Sequence, residues 1–124
     1  MILVDTSIWI DHFRNSDDEL VSLLNSGSVL IHPFIVGELA LGNLKQRDSI
    51  LGSLCDLPRI NIATNEEVLG FIGRTSLHGM GIGFIDAHLL ASTLLTPSSV
   101  IWTRDKRLHA AAVRLGIGKP EHAS

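Results

Sequence analysis

The sequence predicts an α/β fold, a layered sandwich in which helices flank a mainly parallel central sheet. Three observations indicate this class: short apolar runs alternate with longer helical segments, capping residues open the helices, and glycine or proline closes them. The chain has 124 residues, 45% of them hydrophobic and 19% charged, which fits a single domain over residues 1–124. This composition excludes a disordered chain.

The elements follow from local patterns taken in chain order. The apolar runs predict strands over residues 2–4, 28–31, 60–62 and 100–102. The segments between them predict helices over residues 7–14, 16–27, 34–44, 47–55, 64–79, 84–95 and 106–115. Capping boxes mark two starts, with Ser16 paired to Glu19 and Thr64 paired to Glu67. Residues 79–83 form a glycine-rich loop, and residues 119–124 are expected to be a frayed tail.

Other patterns bear on the cellular setting. Asp5 interrupts the first apolar run, so no signal peptide is predicted, and no run approaches the roughly 20 residues of a membrane span. Cys55 is the single cysteine, which excludes an internal disulfide and a cysteine-built zinc site. The six histidines show no zinc-ligand spacing and are expected at the surface or in caps. We therefore expect a cytoplasmic protein without a membrane partner.

The charge is unevenly distributed along the chain. The net charge is −3, yet residues 1–73 carry four basic and ten acidic residues, whereas residues 74–119 carry six basic and two acidic ones. The second half can therefore meet an anion. Arg104, Lys106 and Arg107 are candidates for phosphate contacts, and a solvated helix face is the competing interpretation.

Four of the thirteen acids lie in apolar surroundings, namely Asp5, Glu38, Asp86 and Asp105. The other nine fit helix first turns or polar boundaries. Each of the four also has a structural interpretation, because the aspartates can cap helices and the glutamate can pair with an arginine. Converging carboxylates repel one another unless a dication neutralises them, and oxygen ligands without cysteine suit Mg²⁺ or Mn²⁺.

These acids and their neighbours resemble the four motifs of the PIN-domain family, and specifically the VapC-type toxins of prokaryotic toxin–antitoxin pairs. The resemblance covers residue 2 to about residue 116. The matching segments are Val4-Asp5-Thr6-Ser7, Glu38-Leu39-Ala40-Leu41-Gly42, Asp86-Ala87-His88-Leu89-Leu90-Ala91 and Thr103-Arg104-Asp105.

The resemblance implies a PIN-like three-layer sandwich and a metal-dependent endoribonuclease. Asp5, Glu38, Asp86 and Asp105 then form the catalytic acidic site for one or two Mg²⁺ ions, with Mn²⁺ as a substitute. Thr6, Ser7 and Thr103 become supporting hydrogen-bonding residues. It also implies an RNA substrate, cleavage by metal-activated water that leaves 5′-phosphates, an inhibitory antitoxin and a homodimer.

Alternatives from other classes remain open. A dehalogenase-like phosphatase needs an aspartate at position 7, where this chain has Ser7, and a response-regulator receiver needs paired acids and a later lysine that are not evident. A metal-free ribonuclease with a histidine pair leaves a 2′,3′-cyclic phosphate instead. A catalytically silent PIN-like RNA-binding or protein-interaction module binds no metal.

Overall fold

The fold is an α/β sandwich, as predicted. The computed structural model describes residues 1–120, which form seven helices and one three-stranded parallel sheet. The strands are β1 (Ile2–Val4), β2 (Val29–Leu30) and β3 (Val100–Trp102). The helices are α1 (Thr6–Arg14), α2 (Asp18–Asn25), α3 (Pro33–Ala40), α4 (Arg47–Cys55), α5 (Asn65–Thr75), α6 (Phe84–Leu95) and α7 (Lys106–Arg114).

The sheet has the strand order β2-β1-β3, so the first strand of the chain lies in its centre. Leu3 pairs with Leu30 on one side and with Ile101 on the other, and Val4 pairs with Trp102. Because the strands are parallel, their carboxyl ends lie at one edge of the sheet. The residues that follow β1 and β3 are therefore neighbours there.

The hydrophobic core lies between the sheet and the helices. Leu3, Val4 and Ile101 are fully buried, as are Leu89 and Leu90 of α6. Helix α6 is buried over residues 87–93 and packs against α5 and β3, whereas α3 packs against α1 and α4. Helix α6, which carries Asp86, is thereby fixed against the sheet.

The predicted strand over residues 60–62 is wrong. Only one isolated bridge forms there, between Ile31 and Arg59. The backbone N–H of Asn61 donates to the hydroxyl of Thr96, and that of Ala63 donates to the hydroxyl of Ser92. These side chains belong to α6 and its C-terminus. The Ile60 N–H donates to the carbonyl of Ile31, and beyond it the segment satisfies these N–H groups against a helix instead of a strand.

Two helix boundaries differ from the predicted ones. Asp17, not Ser16, caps α2, because the Asp17 carboxylate accepts from the backbone N–H of Leu20 at 2.9 Å. Helix α3 ends at Ala40 instead of residue 44, and the Gly42 backbone N–H turns back to the carbonyl of Leu39. Glycine and asparagine follow at that point and do not favour a helix.

Helix α5 has the predicted start and an earlier end. Thr64 and Glu67 form both hydrogen bonds of the capping box, as predicted. The helix ends at Thr75, not near residue 79, because Ser76 adopts a left-handed backbone with φ of 54°. The Leu77 backbone N–H then donates to the carbonyl of Ile72, which closes the C-terminus.

The chain end is partly held to the sheet. The Lys119 backbone N–H donates to the carbonyl of Ile101, so the first residue of the expected frayed tail is anchored beside β3. The rest of that prediction, over residues 121–124, lies outside the described residues. Within residues 1–120 no helix is both long and apolar enough to cross a membrane.

Candidate active site

Asp5 lies at the carboxyl end of the central strand and is 7% exposed. Although it occupies the position before α1, its side chain makes no capping hydrogen bond. Its Oδ2 instead accepts from Ser7 Oγ at 3.0 Å and from Thr103 Oγ1 at 2.7 Å. The interpretation of Asp5 as a helix cap is therefore wrong. Two hydroxyls from separate segments fix the orientation of its carboxylate.

Glu38 projects from α3 next to the start of α1. Its Oε1 accepts from Thr6 Oγ1 at 3.0 Å. No ion pair between Glu38 and an arginine occurs in the described part of the chain. The side chain is exposed and forms part of the wall of an open groove of about 640 Å³ between α1 and α4. Its bond to Thr6 links the second acidic motif to the first.

Asp105 both caps α7 and belongs to the acidic group. Its Oδ1 accepts from the backbone N–H groups of Arg107 and Leu108, each at 2.9 Å. The residue also connects to the Asp5 position, because the Asp105 backbone N–H donates to Thr103 Oγ1 at 3.1 Å. The interpretation of Asp105 as a helix cap is thus correct. The capping hydrogen bonds use only Oδ1, so Oδ2 remains without a partner in the described chain.

Asp86 lies in the first turn of α6, three residues after its N-cap Gly83. Burial raises the pKa of Asp86 above its ordinary value of 3.8, and the negative charges of Asp5, Asp105 and Glu38 raise it further. A hydrogen bond from the Gly83 backbone acts in the opposite direction. The charges of the other three acids selected from the sequence thus affect the pKa of Asp86, so all four side chains lie in one region of the protein. We call this region the acidic cluster.

The carboxylates of the acidic cluster share a pattern of hydrogen bonding. In Asp5, Glu38 and Asp105, one oxygen accepts from the protein, and the other has no hydrogen-bond partner among residues 1–120. Within the same range, no three His, Cys, Asp or Glu side chains approach closely enough to hold a metal ion in this geometry. The carboxylates are oriented and mutually repulsive, and they stand apart instead of converging on one point.

The three predicted phosphate contacts have different surroundings. Arg104 forms ion pairs with Asp11 at 2.8 Å and with Asp17 at 3.0 Å, which ties the loop after β3 to α1 and α2. Arg107 lies against the backbone of Gly81, where an added Cβ would meet its guanidinium at 2.9 Å. Lys106 is exposed. Only Lys106 combines exposure with the absence of an ion pair or close packing in the described chain.

Sequence reasoning missed two buried histidines close to the acidic cluster. His32 caps α3 through Nδ1, which agrees with the expected surface or capping roles, although it is only 1% exposed. That expectation is wrong for His88, which is 2% exposed and caps no helix. His32 Nε2 and both ring nitrogens of His88 are buried without a partner among residues 1–120. Their sequence signal was the apolar context, with Ile31 before His32 and Leu89 after His88.

The rings form a continuous aromatic cluster. Phe34 lies 4.9 Å from His32 and 5.0 Å from His88, and Phe84 lies 4.7 Å from His88, measured between ring centroids. Burial lowers the pKa of both imidazoles, that of His32 to about 4. The two histidines are therefore neutral packing groups between α3 and α6, the helices that carry Glu38 and Asp86.

Comparison with known proteins decides the family. The model of the PIN domain matches residues 2–114, which is nearly the whole described chain. The chain belongs to the PIN-domain family. It is also 47% identical over 124 residues to Ribonuclease VapC32 of two Mycobacterium tuberculosis strains, CDC 1551 / Oshkosh and H37Rv, and the match covers the whole of each chain. As a PIN domain, the fold carries its acidic cluster at the carboxyl edge of the sheet, where ligands of open α/β sheets bind.

Proposed function

We propose that this PIN domain is a metal-dependent endoribonuclease of the VapC type that acts as the toxin of a toxin–antitoxin pair. One observation carries the proposal: four carboxylates from four separate segments share one edge of the sheet, and three of them keep an unpartnered oxygen. The full-length similarity to proteins named Ribonuclease VapC32 supports RNA as the substrate.

The donor chemistry of the acidic cluster suits a hard divalent cation, and its carboxylates would have to move closer together to hold one. The donor set of Asp5, Glu38, Asp86 and Asp105 is oxygen only, which suits Mg²⁺ or Mn²⁺, and the repulsion that raises the pKa of Asp86 is relieved by positive charge. When bound, such an ion supplies an activated water and neutralises charge on the phosphate. Calorimetric titration with Mn²⁺ measures the number of ions bound.

The protein's own contribution is to hold these carboxylates in place before the substrate arrives. Ser7 and Thr103 occupy one oxygen of Asp5, Thr6 occupies one oxygen of Glu38, and the first turn of α7 occupies one oxygen of Asp105. Each of these bonds removes rotational freedom from a carboxylate while leaving its second oxygen accessible. Such outer contacts are the usual means of orienting ligating side chains.

The same proposal includes two protein partners, an inhibitory antitoxin and a second copy of the chain. Apolar side chains stand exposed on α3 and α6, the two helices whose aromatic residues pack around His88. The exposed residues on these helices are Phe34, Phe84, Ile85, Leu94 and Leu95. Exposed apolar surface of this kind is typical of an interaction face, and we assign it to the homodimer. Light scattering of the purified chain measures its mass in solution and so distinguishes a homodimer from a monomer.

The test of nuclease activity uses purified protein with total RNA and with short single-stranded RNA, in Mg²⁺, in Mn²⁺ and in EDTA. Asp5→Asn and Asp86→Asn preserve side-chain shape and remove charge, and Asp48→Asn is a matched control because Asp48 is fully exposed on α4. We expect metal-dependent cuts with 5′-phosphate ends that vanish in the two cluster variants and persist in the control.

Two outcomes contradict the proposal. Cleavage that survives EDTA and both cluster variants indicates a metal-free site, and 2′,3′-cyclic phosphate ends identify a histidine-based mechanism. Absence of cleavage together with weak Mn²⁺ binding by calorimetry indicates the second candidate, a silent PIN-like binding module. Circular dichroism of each variant separates loss of chemistry from loss of folding.

A further inference from the structure

A second concave surface lies beside the acidic cluster, on the other side of the loop that follows β3. It is an open pocket of about 580 Å³ between α7, the start of α2 and the chain segment at residues 119–120. Trp102 and Thr103 form its wall toward the sheet, and Lys106 and His109 line it from α7. We call it the Trp102 pocket.

The Trp102 pocket is basic, and part of its charge is already paired. Lys119 forms an ion pair with Glu19 and places Nζ 4.9 Å from the centre of the Trp102 ring. Arg104, a further lining residue, is held by its two aspartates and lies 5.9 Å from the same ring. These two cations are therefore fixed parts of the wall, and their charges are largely compensated.

Lys106 and His109 are the groups of the pocket that remain available. They are three residues apart on α7, so they lie on the same face of the helix. Neither side chain has a hydrogen bond or an ion pair within residues 1–120. A lysine with a neighbouring imidazole donor, both uncompensated in a concave surface, suits an anionic ligand with several acceptor oxygens.

The pocket and the acidic cluster share a wall. Thr103 lines the pocket and donates its hydroxyl hydrogen to Asp5, and Asp105 immediately precedes Lys106 in the chain. The pocket and the acidic cluster are therefore adjacent, as the binding sites for neighbouring phosphates of one strand must be.

We propose that the Trp102 pocket binds the nucleotide next to the scissile phosphate of a single-stranded RNA. Its phosphate contacts Lys106 and His109, and its base lies against the edge of Trp102 and the guanidinium plane of Arg104. This subsite rests on the proposed nuclease function and extends it, because it states on which side of Asp105 the substrate strand continues.

The first test detects RNA binding at Trp102 by NMR and does not require cleavage. The chain has two tryptophans, so an ¹⁵N-labelled sample gives two indole resonances, which Trp102→Phe assigns. Trp9 is an internal reference, because it is 3% exposed and its Nε1–H donates to the carbonyl of Val4 at 3.1 Å. When a short oligoribonucleotide is added to the Asp86→Asn protein, we expect the Trp102 resonance to shift and that of Trp9 to stay in place.

The second test measures binding of the same fluorescein-labelled oligoribonucleotide against salt concentration by anisotropy. Lys106→Ala removes one phosphate contact, so the slope of log K against log[salt] becomes shallower by about 0.7, uniformly across RNA sequences. Arg59→Ala is the matched control, because Arg59 is an exposed cation next to β2, at the opposite edge of the sheet. We expect it to leave the slope unchanged.

The two proposals fail in different ways. If the wild-type chain cuts RNA while the Trp102 resonance is silent and Lys106→Ala keeps the parental slope, the subsite is refuted and the nuclease stands. If the wild-type chain neither cuts nor binds RNA, the nuclease proposal fails and the subsite fails with it. Equal loss of slope in Arg59→Ala and Lys106→Ala also refutes the subsite, since it indicates a diffuse charge effect.

Discussion

Thr103 Oγ1 donates a hydrogen bond of 2.7 Å to Asp5 Oδ2 across 98 positions of sequence. Both atoms are buried, and the bond joins the residues that directly follow the central strand β1 and its neighbour β3. The same hydroxyl accepts from the Asp105 backbone N–H. One threonine thereby couples the orientations of two members of the acidic cluster.

Removal of this hydroxyl is expected to impair the site more than the fold. In Thr103→Val the Asp5 carboxylate keeps only its bond from Ser7, so we expect metal affinity and cleavage rate to fall about 10- to 100-fold, the usual cost of losing an outer-shell contact. Calorimetry with Mn²⁺ and single-turnover cleavage measure the two effects. Thr103→Ser retains the hydroxyl and should remain close to wild type. Equal activity of the valine and serine variants contradicts this role.

The two functions of Asp105 can be separated by substitution. Asparagine caps helices about as well as aspartate, so Asp105→Asn should keep the thermal midpoint and lose cleavage with the charge. Asp105→Ala should lose cleavage and also about 0.5–2 kcal/mol of stability through the lost cap. Chemical denaturation gives the stability values. Full activity in Asp105→Asn would show that the residue is a cap and nothing more.

Asp86 is expected to make the metal-free protein less stable at neutral pH. Because its pKa is raised in the folded state, the folded protein binds the proton more tightly than the unfolded chain, so stability falls as pH rises above the ordinary value of 3.8. Asp86→Asn should therefore raise the thermal midpoint at pH 7 in EDTA, with a smaller gain at pH 5. Mg²⁺ should stabilise the wild type and have little effect on the variant. A variant that is less stable than the wild type in EDTA contradicts the sign.

His32 should cause the opposite pH dependence. Its folded pKa of about 4 lies below the ordinary 6.5, because burial disfavours the protonated ring, as do the charge of Arg59 and repulsion from His88 when that ring is protonated too. The unfolded chain then binds the proton more tightly, so stability is full above pH 6.5 and falls as pH decreases toward 4. His32→Asn keeps a side-chain acceptor for the α3 cap and should flatten this fall. His78→Asn, at an exposed position, is the control, and an identical pH profile in both variants contradicts the prediction.

Local sequence was sufficient where local interactions decide the structure. The capping box of Thr64 and Glu67 formed as predicted because both partners lie within one helical turn. The four acids were recognisable because each interrupts an apolar segment, and the apolar segments lead to one sheet edge. Asp105 can be both a helix cap and a member of the acidic cluster, because Oδ1 accepts the capping hydrogen bonds and Oδ2 has no partner in the described chain.

The features that sequence could not predict depend on distant partners. Residues 60–62 alternate like a strand, but the hydroxyls of Thr96 and Ser92 accept from the backbone N–H groups of Asn61 and Ala63. Arg104 is predicted as a phosphate contact, and the ion pairs of its guanidinium with Asp11 and Asp17 depend on segments distant in sequence. The Trp102 pocket exists because residue 119 returns to the edge of β3, which no periodicity indicates.

The placement of the first strand in the centre of the sheet has a consequence for biosynthesis. Strand β1 leaves the ribosome before β3, its neighbour on one side, which is synthesised about a hundred residues later. Asp5 therefore lacks its hydrogen bond from Thr103 until the later segment has been synthesised. The acidic cluster likewise lacks Asp105 until then. A nascent chain of this protein thus carries no assembled acidic cluster until the segment with Thr103 and Asp105 has been synthesised and has left the ribosome.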